Sequence, residues 1–148
     1  MQLRRLGRAA VALVGLAFVA AVLFSVLLAA LEAVGLARST ASPAALGGVV
    51  SAALAAADVY TPLGNNSRTA TLREKPRGAL AADFAAASAV GFATGAVAGA
   101  VLLSPGTAEW TRMGVVAAAV LLGYGTFVAR NVAVYSPGFG AGEDGSEL

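Results

Sequence analysis

The sequence predicts an all-α membrane protein: a bundle of four transmembrane helices, arranged as two helical hairpins with both termini on the cytoplasmic side. Composition is the first reason. Of 148 residues, 58% are hydrophobic and 12% charged, whereas a soluble domain carries roughly 45–50% and about 25%. Distribution is the second: the apolar residues collect in uncharged runs, and a helix crosses a bilayer in about 20 residues. The third is the uneven placing of basic residues between those runs, which sets the expected orientation.

The first run covers residues 9–31, 23 positions without a charge, between Arg4, Arg5 and Arg8 on one side and Glu32 on the other. A secretory signal has a similar basic start, but its apolar core is about 7–15 residues long. A retained helix over 9–36 is therefore expected, although Gly35 and Ala37 have the small size of a cleavage site. The second run is the 19 residues 39–57, rich in Ala, Gly and Ser. A helix over 43–60 is expected there, opened by Pro43, because proline at a first helical position lacks an N–H that has no partner anyway. So alanine-rich a span gains little from lipid and should pack against other helices.

Residues 61–78, TPLGNNSRTATLREKPRG, read as a basic cytoplasmic loop, since two prolines, two glycines and paired asparagines interrupt helix. Asn65-Asn66-Ser67 matches a glycosylation acceptor, which matters only on the outer face. A third helix is expected over 79–103, stopped at Ser104-Pro105-Gly106, and a fourth over 113–134. Trp110 lies between them, as suits a residue of the membrane–water boundary. Residues 1–136 thus form one membrane domain, and the acidic, Gly-rich tail 137–148 is expected to be disordered.

Gly91, Gly95 and Gly99 fall four apart, with Ala87 one step earlier on the same stripe. Such a glycine zipper lines one helix face and lets a neighbouring backbone approach closely. The second helix offers a matching stripe at Gly47, Ser51 and Ala55. Packing within the chain is the expected use; a homo-oligomer contact or a pore-lining face are the alternatives. A second constellation is a candidate intramembrane charge cluster: Asp58, Asp83 and Arg130 all fall roughly 12 Å to the cytoplasmic side of their helix midpoints at about 1.5 Å per residue. Ionisable groups at that depth are functional candidates, here either a clamp between helices or an ion or proton site. Glu32, near Arg38, reads as a solvated helix-end charge.

Chemistry is sparse. The chain has no cysteine and no histidine, so disulfides, Cys/His metal sites and histidine acid–base catalysis are excluded. Intramembrane aspartyl proteases use Tyr-Asp and Gly-x-Gly-Asp, but Asp58 follows Ala57 and Asp83 follows Ala81-Ala82. There is no phosphate-loop motif, and Lys75, the single lysine, lies outside the hydrophobic runs. No catalytic residue, cofactor or metal is expected, and a net charge of +2 without a basic face gives no warrant for nucleic acid. The lipid bilayer is the expected partner, with anionic head groups at Arg68, Arg73, Lys75 and Arg77, alongside a second copy or another membrane subunit.

The segments ALAAADVYTPLGNNSR (53–68) and AASAVGFATGAVAGAVLL (86–103) resemble small multi-pass membrane proteins of halophilic archaea and other high-GC prokaryotes. The resemblance implies a membrane bundle and transfers no activity or site residue. The expected role is a non-catalytic structural or accessory membrane subunit; the alternative is a small oligomeric transporter or channel using Asp58 and Asp83.

With four helices, Arg4, Arg5, Arg8, Arg68, Arg73, Lys75, Arg77 and Arg130 share one side, and Arg38 and Arg112 the other. The positive-inside rule places the first group in the cytoplasm of the cell membrane. Single cysteines at Ser67 and at Thr107 test this in a chain that has none of its own. An impermeant maleimide applied to intact cells should label position 107 alone, and outside labelling at 67 would overturn the topology.

Overall fold

The computed structural model describes residues 2–61 and 66–136. Asn65 of the acceptor pattern and the tail 137–148 lie outside the described residues. The helices are α1 (Gln2–Ala33), α2 (Arg38–Tyr60), α3 (Asn66–Glu74), α4 (Arg77–Leu102), α5 (Glu109–Arg130) and the single turn α6 (Val132–Tyr135). No strand occurs among the described residues, and α1, α2, α4 and α5 are long and apolar enough to cross a membrane.

Helix α1 stops at Ala33, short of the expected end, because Gly35 adopts φ +90°. The amide of Gly35 then bonds Glu32 O at 3.0 Å and that of Leu36 bonds Leu31 O at 3.0 Å. These are the two bonds of a Schellman turn, which favours glycine at the left-handed position. Leu31 and Leu36 both pack on the small cluster of Leu28, Ala41 and Ala45 that joins α1 to α2. Ala9, near the N-terminus of α1, is buried, whereas Val11, Val14 and Phe18 on its outer face are each at least 70% exposed.

Helix α2 begins at Arg38, not at Pro43. Ala37 is extended, and its carbonyl accepts the amides of Thr40 (2.9 Å) and Ala41 (2.8 Å), so the first turn closes before the proline. Pro43 then sits inside the helix, where it removes one amide. Its ring rests on Gly99, where an added Cβ would stand 2.8 Å from Pro43 Cγ and 3.0 Å from Ser39 O.

Helix α2 is the central element, packed on α1, α4 and α5. Its buried residues Pro43, Gly47, Ser51, Ala55 and Val59 recur every four positions. The facing stripe on α4 is Asp83, Ala87, Gly91, Gly95 and Gly99. The two backbones nearly touch: a Cβ on Gly91 would collide with Gly47 O, one on Gly47 with Gly91 O, and one on Gly95 with Pro43 O. The α4 glycines therefore pack within the chain. Helix α5 adds a third stripe, Val115, Ala119, Gly123 and Phe127. Ser51, fully buried where the three meet, donates to Val120 O at 3.2 Å.

Two further expectations need correction. Residues 61–78 are not simply a loop, because they contain α3. Leu72, fully buried, and Thr69 turn its inner face onto the bundle. The fourth long helix runs from Glu109 to Arg130 and breaks at Asn131. There the Asn131 side-chain amide takes Phe127 O (2.8 Å), the carbonyl its own backbone amide would hold, and that amide moves to Val128 O (3.0 Å).

Gly95→Leu should cost far more than Gly106→Leu, because Gly106 has open space around its Cβ position. Overpacking commonly costs about 1–3 kcal/mol, and a collision with backbone belongs at the top of that range. Thermal unfolding and membrane yield of the two variants measure the difference; equal values would contradict the close approach.

Candidate functional site

Asp58, Asp83 and Arg130 lie at one end of the bundle, where α2 and α5 finish, α4 begins and α3 and α6 close over them. Asp83 continues the glycine stripe one step beyond Ala87, so its side chain faces inward and is only 4% exposed. An ionised carboxylate at such a position needs partners, and three donors converge on it. Arg130 Nε donates to Oδ1 at 2.7 Å, Lys75 Nζ to Oδ2 at 2.7 Å and Asn131 Nδ2 to Oδ2 at 3.2 Å. Lys75 also donates to Asn131 Oδ1 at 2.6 Å, which closes the network. Two cations on one carboxylate join α4, the end of α5 and the α3–α4 connection.

Asp58 does not belong to this network. It lies one position off the α2 stripe, beside Val59, and turns toward a different face of the bundle. The Tyr124 and Tyr135 hydroxyls both donate to its Oδ2. The Arg68 guanidinium lies over the Tyr135 ring, 4.8 Å from the centroid, a cation–π arrangement. Burial pushes the Tyr135 phenol up from its ordinary value, and its bond to the Asp58 carboxylate pushes the same way. Tyr135 accordingly remains a neutral donor at physiological pH.

Both acids border an aromatic layer. Phe84 and Phe127 stack with centroids 5.7 Å apart, and Tyr60 and Tyr124 flank them at 6.5 and 6.4 Å. Phe127 is fully buried among Ala55, Val59, Leu72, Leu80 and Ala87. Above this layer Arg73 of α3 donates to the last carbonyls of α2, Val59 O at 2.7 Å and Tyr60 O at 3.1 Å. A cation there also complements the negative end of the helix dipole.

Two of the predicted trio come together: Asp83 and Arg130 pair, and Asp58 stands apart. Sequence reasoning missed Lys75, Asn131, Tyr124 and Tyr135. Asn131 had a signal, since it extends the Val115–Ala119–Gly123–Phe127 stripe by one more step of four. Lys75 had none, because it reaches the carboxylate from outside the spans. Of the basic residues expected at lipid head groups, Arg73 and Lys75 hold internal acceptors and Arg68 stacks on Tyr135, while Arg77 is exposed.

What this geometry defines is a class: an all-helical chain with four helices long and apolar enough to span a membrane, tied at one end by an internal ion network. Comparison with protein-family models, curated proteins and solved structures finds no match.

Lys75 is the more buried cation, its side chain 29% exposed against 48% for Arg130. Lys75→Leu should therefore destabilise more than Arg130→Leu, by roughly 1–3 kcal/mol, since it also strips Asn131 Oδ1 of its donor. Adding Asp83→Leu to Lys75→Leu should recover part of the loss, because the buried charge left behind is removed with it. Denaturation midpoints in detergent decide this, and a double variant no better than the single one would refute it.

Proposed function

We propose that this chain is a non-catalytic structural or accessory subunit of the cell membrane, with both termini in the cytoplasm. The observation carrying the reading is that Asp83, the most deeply buried charge of the spans, is held by two cations and an amide of the same chain. A carboxylate fixed by several donors suits a clamp better than a carrier site, which must exchange its ligand. Orientation rests on charge. Arg8, Arg68, Arg73, Lys75, Arg77 and Arg130 share the α3 end, while Arg38 and Arg112 lie at the other, and basic residues favour the cytoplasm.

In this role the bundle presents its outer surface to lipid or to a partner's helices, and exposed Arg77 remains open to anionic head groups. A tagged chain purified from native membranes in mild detergent should bring down a partner in constant stoichiometry. Proteoliposomes of the purified chain should show no more cation or proton flux than empty vesicles. Flux abolished by Asp58→Asn or Asp83→Asn would replace this reading with that of a transporter or channel.

A further inference from the structure

The end of the bundle away from α3 holds a cavity of about 440 Å³ between the start of α2, the α4–α5 turn and the start of α5. Arg38, Ser39, Ser42, Pro43, Pro105 and Arg112 are among its lining residues. Its charge is one-sided. Arg38 has one acidic neighbour, Glu32, but the pair is 3.7 Å apart with the Arg38 side chain 77% exposed, so it holds the guanidinium weakly. Arg112 reaches only the backbone, Ser104 O at 3.5 Å and Pro105 O at 3.3 Å, through one terminal nitrogen. Its Nε is buried and has no hydrogen-bond partner.

The backbone adds to this. Helix α2 starts at the cavity with Ala37 as N-cap, which supplies no side-chain acceptor to the first amides. Uncapped amides and the positive end of the helix dipole favour an anion there, and the Ser39 and Ser42 hydroxyls supply neutral donors. We propose that this cavity is a binding site for a phosphate-bearing anion, held by Arg38 and Arg112 at the start of α2. The spans α2 and α5 begin here and α4 ends here, and Trp110, 82% exposed, marks the same level. That depth is where phospholipid phosphates lie, so an anionic lipid head group reaches the cavity from the bilayer and a free phosphate from water.

Native mass spectrometry of the full chain in a neutral detergent separates these sources, with phosphatidylglycerol, phosphatidylcholine and inorganic phosphate as probes. The wild type should retain phosphatidylglycerol over phosphatidylcholine. Arg112→Gln should weaken that retention about tenfold, the loss of one charge-assisted contact of about 1.4 kcal/mol. Arg38→Gln, at an exposed side chain that the fold does not need, should weaken it less, and Arg8→Gln, at an exposed residue of the opposite end, should leave it unchanged. Arg112→Lys restores the charge and keeps the comparison valid if Arg112→Gln folds poorly. Stabilisation of the wild type by inorganic phosphate, lost in Arg112→Gln and without lipid preference, assigns the same site to the free anion. Retention unaffected by both Arg38→Gln and Arg112→Gln overturns the proposal.

Discussion

Helices α2 and α4 approach until the carbonyls of one occupy the space where side chains of the other would start, and the remaining arrangement follows from that contact. In lipid there is little gain from hiding apolar surface, so helices associate through close packing and polar contacts. Gly47 against Gly91, and Pro43 against Gly95, allow that packing only at one register. A slip along either helix would set a carbonyl against a Cβ. Helix α5 joins at the same level, with Gly123 against Ser51 and Ala87 O. Small residues thus determine the depth at which every other side chain is presented.

The register has an electrostatic consequence. The α4 stripe cannot be extended by one step without carrying Asp83 into the bundle, where an unpaired carboxylate would be costly. Lys75, Arg130 and Asn131 converge there, and the α5 break at Asn131 supplies the amide. A second solution is used for Asp58, which receives two phenols instead of two cations. Helix α3, with nine residues, is too short to be stable alone. It forms because Leu72 seals the aromatic layer and Arg73 takes the α2 carbonyls. The two ends of the bundle therefore differ in kind: Arg73, Lys75 and Arg130 near α3 satisfy internal acceptors, and Arg38 and Arg112 at the opposite end line a cavity.

Much of this was legible because it is periodic. Uncharged runs gave the four long helices, and steps of four identified the faces of α2 and α4 that meet, down to Gly91, Gly95 and Gly99. The exceptions have local causes. Pro43 looked like a helix start, but Ala37 O closes a turn five residues earlier. Residues 66–74 looked like loop because their helix depends on contacts with α2 and α6 that no local pattern contains.

The charges mark where sequence ends and tertiary structure begins. Length, hydropathy and spacing determined by themselves that Asp58, Asp83 and Arg130 lie near one end of their helices, since depth depends only on counting residues along an axis. Which of them meet depends on the rotation of each helix about that axis, set by glycine contacts between segments far apart in sequence. One position off the stripe, about 100° around the helix, separates Asp58 from Asp83. Only the folded chain brings Lys75 back over the bundle to the carboxylate it neutralises.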